Sequence, residues 1–278
     1  MKNSAPPLTA RLAEGTAQIR LRAGWAEARS VRVGQRAITE LEVLLPHEKR
    51  DEVRRAVLAE APSWYNPWIH LAVPSTFGIT IIVVSLALLE HPVGWQWLTV
   101  PIVYLITNMN EWYIHRDLLH HRFPLAPILY DRHTPQHHMI YVTDDMAIRD
   151  WREFHLVLIP AYGLFLIFVN LLPIAAALWW LISRDVGLLY TATAMGYAVS
   201  YEWLHLSYHL PRDSRIGQLG IIRRLRNHHA VHHDPRLMQR WNFNVTIPLW
   251  DWVQRTTVRD VPTALARSAE RRVARAAS

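Results

Sequence analysis

Residues 69–89, IHLAVPSTFGITIIVVSLALL, decide the fold. The stretch contains no Asp, Glu, Lys or Arg, and it matches the roughly 20 residues that cross a hydrocarbon core as a helix. Downstream, EHPVG at 90–94 makes a short polar turn, and a second apolar run covers 95–108. That run is short for a span, but its helix can continue into the polar stretch NEWYIHRDLLHH. A third run covers 154–182, interrupted by Asn170 and Pro173. Ser183, Arg184 and Asp185 break it, and a fourth run follows at 186–204. The expectation is an all-α integral membrane protein with four transmembrane helices in two hairpins. The third run exceeds one straight crossing, so a tilt, or a kink at Pro173, would absorb the excess. A break at 170–173 is the alternative.

Charge gives the orientation. The net charge is +7, and 29 of the 30 Lys and Arg residues fall on one side of a four-span layout, with Arg184 as the exception. Basic flanks face the cytoplasm, which puts both termini there. Trp64, Trp68, Trp95, Trp97, Trp151, Trp179, Trp180 and Trp203 lie near span ends, as an interfacial belt requires. A soluble helical protein fits the run lengths and charge sidedness poorly. The same distribution argues against a nucleic-acid partner despite a pI near 10.0. Residues 1–30 show no signal-peptide core. The absence of Cys excludes disulfides, thiolate zinc sites and iron–sulfur clusters. Arg outnumbers Lys 28 to 2, which together with abundant Ala suggests a GC-rich bacterial genome and a bacterial inner membrane.

The chain divides into an N-terminal cytoplasmic region at 1–66, a membrane-embedded domain at 67–258 and a basic tail at 259–278. Within the first, 47–61 (HEKRDEVRRAVLAEA) reads as an amphipathic helix with Val53, Val57 and Leu58 on one face. It is expected on the membrane surface or on the cytoplasmic domain. The tail is expected as a basic helix or a disordered end in contact with anionic lipid.

Twelve of the 16 histidines form four clusters. They are His115, His120 and His121 in EWYIHRDLLHHR; His133, His137 and His138 in DRHTPQHH; His205 and His209 in YEWLHLSYH; and His228, His229, His232 and His233 in RNHHAVHHD. His47, His70, His91 and His155 stand alone and read as surface or interface residues. His205 and His209 share a helix face at i, i+4, as do His229 and His233, with His232 beside them, and His133 and His137. His115 and His120 are five apart and diverge by about 140° on a regular helix, so one centre needs a local distortion. Neutral imidazole is a ligand for zinc, iron, copper and nickel. A mononuclear site takes three or four protein ligands, so ten or more imidazoles suggest two metal ions with a position open to water or substrate. All four clusters fall on the cytoplasmic side of the spans.

HRDLLHH, HTPQHH, HLSYH and HAVHH together resemble the integral-membrane fatty acid hydroxylase and sterol desaturase superfamily. EWYIHRDLLH is most similar to the first motif of the fatty acid 2-hydroxylases, and NFNVTIPLWDWVQRT resembles the closing segment. The resemblance covers roughly 95–258. It implies a four-helix anchor under a cytoplasmic helical cap that holds a His-rich dimetal site. It also implies two iron ions (Fe2+, with zinc a possible occupant on purification), O2 as co-substrate and oxidation of a lipid C–H bond. The ligands carried over are His115, His120, His133, His137, His138, His205, His209, His229, His232 and His233, with His121 and His228 as alternatives to His120 and His229. Departures are Leu210 where a further His is common, Glu202 for Asp, and Arg255–Thr256 for a terminal Gly-Thr. No fused haem domain precedes the spans, so electrons come from a separate cytochrome b5-like or ferredoxin-like carrier.

Glu111 and Glu202 precede ligand positions and are expected to accept the second N–H of a ligand imidazole. The plainer reading of Glu111 pairs it with Arg116. Asp144 and Asp145 fit either that role or a helix cap. Phe123, Leu125, Ile128 and Leu129 are expected as plain packing, with a lipid entrance as the alternative. Lipid hydroxylation is the expected activity. Desaturation in the same superfamily is the alternative, and a non-enzymatic membrane metal-binding or transport protein is less favoured, because the spans lack Asp, Glu and His near their middles.

Overall fold

The computed structural model describes residues 47–277, with side chains to 271. The N-terminal 1–46 lie outside the described residues. The described chain is helical, with a single isolated bridge between Val142 and Asp145 and no strand. The longer helices are α1 (His47–Glu60), α2 (Pro67–Ala87), α3 (Thr99–Tyr113), α4 (Gly163–Leu181), α5 (Arg184–His209), α6 (Gly220–His232) and α7 (Val261–Ala277).

Local chemistry sets the boundaries. Asn66 caps α2 by accepting the Trp68 and Ile69 amides at 2.9 and 3.1 Å, and Pro67 opens the helix where its missing N–H costs nothing. Ser183 caps α5 through the Val186 amide at 3.2 Å. The third apolar run divides here. Residues 154–162 fold as a short helical turn and an irregular link, and α4 begins only at Gly163. This division shortens the run to a 19-residue helix, and α4 runs through Pro173 to the break at 182–183.

Among the described residues, α2 and α4 are long and apolar enough to cross a membrane. The 26-residue α5 is the central helix, packed on α2, α3 and α4. Close approach needs small residues. A Cβ on Gly78 of α2 would fall 2.4 Å from Val199 Cγ2, and one on Gly187 of α5 would fall 2.9 Å from the Ala175 carbonyl of α4.

At one end of the helices the turns lock together. Arg184 pairs with Glu90, the Glu90 amide donates to Asp185 at 3.2 Å, and Gln96 donates to Ser183 at 2.7 Å. At the other end the remaining segments form a cap. There α1 buries Val53 and Val57 against Ile140, Tyr141, Met146 and Phe154. Each such side chain contributes about 1.5–3 kcal/mol. Asp145 holds α1 through Arg149 at 3.0 Å and Arg50 at 3.6 Å, whereas Asp144 is exposed. The tail forms α7, with Ala264 packed against Trp241 and Val258. Phe123, Leu125, Ile128 and Leu129 are exposed, Leu125 to 86%, so they do not serve as core packing.

Candidate metal centre

Two backbone distortions organise the site. Residues Ile114–Leu119 form a π turn, and a second covers His133–His137, where the His138 amide donates to the His133 carbonyl five residues back. A π turn brings residues five apart onto one face. His115 and His120 therefore converge, and so do His133 and His138. The expected partner of His133 was His137, but His137 points to the other side of the site.

The ten carried-over histidines are all buried and gather into two groups of five. The first holds His115, His120, His133, His138 and His232. The second holds His137, His205, His209, His229 and His233. In each, the five candidate ligand atoms lie within 4.8 Å of one another. The groups share a seam where the His138 and His233 rings stack at 4.1 Å. His232 and His233 are adjacent in the chain yet belong to different groups. His121 and His228 belong to neither: exposed His121 meets the Arg116 carbonyl, and His228 meets Asp251 at 3.1 Å.

The ring orientations are held from behind. His115 Nδ1 donates to the Phe243 carbonyl, and His232 Nδ1 to Trp241 at 2.9 Å. His120 Nδ1 donates to Thr134 Oγ1 at 3.0 Å, whose own proton goes to the Leu119 carbonyl. In the second group His137, His209 and His233 donate to the carbonyls of Leu156, Met146 and Tyr141 at 3.1, 2.7 and 2.7 Å. His205 bonds to the backbone of Val157. With Nδ1 protonated, each Nε2 presents a lone pair.

These lone pairs fit a cation. His120 and His232 face each other Nε2 to Nε2 at 2.9 Å, and His133 Nε2 lies 3.0 Å from both His115 Nε2 and His138 Nε2. Lone pairs this close repel unless a proton or a metal ion joins them. His120 and His232 already commit their Nδ1 protons, so a proton between their Nε2 atoms would make an imidazolium, and burial, then the neighbouring imidazoles, push both well below the usual imidazole range. In the second group the Nε2 atoms of His137, His205 and His209 are buried without a hydrogen-bond partner. Ten imidazoles with no thiolate or carboxylate suit a divalent first-row metal in each group.

Glu111 and Glu202 act differently from the expectation. Glu111 accepts the Val245 and Thr246 amides and the hydroxyls of Thr246 and Tyr197. Glu202 accepts the Ile159 amide at 3.2 Å. Neither reaches an imidazole. Glu111 instead holds the 245–246 backbone, two residues past the Phe243 carbonyl that orients His115, and Glu202 holds the Ile159 amide, two residues past the Val157 backbone that binds His205. The reason is that folding brings backbone amides and hydroxyls to both carboxylates, and these donors take up their oxygens. Arg116 pairs with Asp117 and lies over the Trp112 ring, away from Glu111.

Asp251, not singled out from the sequence, is the knot of the closing segment. It accepts Phe243 and Asn244 amides at 3.0 and 2.8 Å, Thr256 Oγ1 at 2.6 Å and Trp112 Nε1 at 3.2 Å. Its place in WDW, within the segment already matched by resemblance, was the available signal. Asn242 holds φ 57°, and its side chain binds the His228 and Val258 carbonyls at 2.9 and 3.0 Å. Arg255 holds φ 55°, the backbone that a glycine takes without strain.

Searches of curated proteins and of solved structures give no match. A profile of the fatty acid hydroxylase family matches residues 100–256, over half of the chain and all twelve clustered histidines, and the chain belongs to that family.

Proposed function

We propose that the protein is a membrane-embedded oxygenase that hydroxylates a C–H bond of a lipid, fatty acyl or sterol-like, with O2 and electrons from outside. The observation that carries this reading is the pair of buried five-imidazole groups with converging Nε2 atoms. The ligands are His115, His120, His133, His138 and His232 for one iron and His137, His205, His209, His229 and His233 for the other. Two iron ions bound there supply the dioxygen activation and C–H oxidation that protein side chains alone lack. One oxygen atom enters the C–H bond and the other leaves as water, which consumes two electrons and two protons.

The chain's own residues hold the imidazoles neutral, orient them through backbone carbonyls and keep the centre buried. Helices α2 to α5 form the anchor in two hairpins, supported by the turns locked at Glu90–Arg184 and Gln96–Ser183. The basic cap then faces the cytoplasm, with both termini, at a bacterial inner membrane. Exposed Phe123, Leu125, Ile128 and Leu129, between the first two histidine clusters, offer lipid an apolar approach. A separate cytochrome b5-like or ferredoxin-like carrier delivers electrons to the cap.

The test is metal content and product mass. Protein expressed with iron is expected to hold about two irons per chain, lost in the His232→Ala/His233→Ala variant. Host lipids should gain one oxygen by mass spectrometry when the wild type is expressed. A loss of two hydrogens would mean desaturation, and one metal that survives the double substitution would sink the dinuclear reading.

A further inference from the structure

The two imidazole groups are supported by different parts of the chain. Carbonyls and a hydroxyl from Phe243, Trp241 and Thr134 orient three of the five members of the first group, His115, His232 and His120. Tyr141, Met146, Leu156 and Val157 orient four of the five members of the second. Each support has its own buried carboxylate. Asp251 ties the 243–244 backbone to Trp112 and Thr256. Glu153 does the equivalent work in the loop at 141–157. Its Oε2 accepts the Tyr141 hydroxyl at 2.7 Å, and its Oε1 accepts the Arg149 amide at 3.1 Å.

Glu153 is neutralised from outside the family-matched residues. Arg54 of α1 donates to Glu153 Oε2 at 2.7 Å, with both side chains almost fully buried. Its guanidinium also lies 5.2 Å from the centre of the Tyr141 ring. The path from α1 to His233 is therefore continuous: Arg54, the Glu153 carboxylate, the Tyr141 hydroxyl, the Tyr141 carbonyl and His233 Nδ1. Three residues beyond Glu153, the Leu156 carbonyl holds His137.

We infer that Arg54 and Glu153 are positioning residues for the second imidazole group alone, so that α1 is a working part of one half of the metal centre. This rests on the dimetal reading above. Outer partners of a metal ligand typically govern ten- to hundredfold in affinity, because they fix ring orientation and tautomer. Since the two groups do not share these partners, metal loss at one need not accompany loss at the other.

The test is anaerobic titration of full-length detergent-solubilised protein with Fe(II) against a competing chelator. Wild type should bind two equivalents. Arg54→Met should weaken one equivalent by about ten- to hundredfold and leave the other unchanged, and Arg54→Lys should restore much of it. Asp251→Asn should weaken the other equivalent, and the combination should weaken both. Because Arg54→Met leaves Glu153 buried without its cation, the Arg54→Met/Glu153→Met pair serves as the charge-balanced variant if the single one does not fold. Cobalt(II) absorption, read on the same variants, should lose one of two components. Two wild-type-like equivalents in folded Arg54→Met/Glu153→Met, or both equivalents weakening together, would overturn the inference. A wild type that binds fewer than two would overturn the dimetal reading itself.

Discussion

His115 and His120 stack with ring centroids 5.1 Å apart and planes 17° from parallel, although they stand five positions apart in the chain. The π turn at Ile114–Leu119 makes this possible. An α turn would have spread the rings by about 140°. The same device joins His133 to His138 and releases His137 to the second group.

Register is therefore a lever on the first group. One Ala inserted between Asp117 and Leu118 turns His120 by about 100° relative to His115. Bound iron should fall from two to one per chain, with the second group still loaded. Retention of both irons would show that the turn does not set the geometry.

Neighbouring histidines should separate cleanly by substitution. His120→Ala is expected to lose one iron, while His121→Ala keeps both, since His121 is exposed and bonds only the Arg116 carbonyl. Equal losses in the two variants would exchange their roles.

Glu111 gathers four donors, two amides and two hydroxyls. Glu111→Ala leaves them unsatisfied and should cost about 3 kcal/mol or more. Glu111→Gln keeps an oxygen for the amides, and the hydroxyls can rotate to accept from its NH2, so about 1 kcal/mol is expected. Denaturant melts in detergent would distinguish the two. Similar costs would mean that Glu111 acts by volume rather than by its bonds.

Arg255 occupies a left-handed backbone position with an exposed side chain. Arg255→Gly removes the Cβ conflict and should stabilise the protein by about 1 kcal/mol, seen as a higher Tm. A lower Tm would place the value of Arg255 in its side chain.

His155 is half-buried against Tyr65, and burial followed by the nearby Arg132 cation lowers it to about 4 from 6.5. A base with a depressed folded-state pKa contributes stability above its unfolded value of about 6.5. That stability is lost as pH falls toward 4, because the unfolded chain binds the proton more readily. Tm should decline over this window, and His155→Phe should flatten the decline. An unchanged slope would assign the acid sensitivity to the other buried imidazoles, His70 and the ten of the metal centre.

The order of apolar runs, the polar breaks between them and the twelve clustered histidines were all readable along the chain, because burial in lipid and metal ligation both need residue types that composition displays, whereas the choice of ten among the twelve came from the family resemblance. Local spacing also identified His205 with His209 and His229 with His233, since an α-helix fixes i, i+4 neighbours by itself. What needed the tertiary structure was the sorting of His137 from His138 and of His232 from His233 into different groups. Adjacent residues on a helix point about 100° apart, and only the packing of α5, α6 and the two π turns decides which direction meets which partner. The roles of Glu111, Glu153, Glu202 and Asp251 were hidden for the same reason. Each carboxylate answers backbone donors or an arginine brought close by folding, and those contacts leave no spacing to read in the sequence.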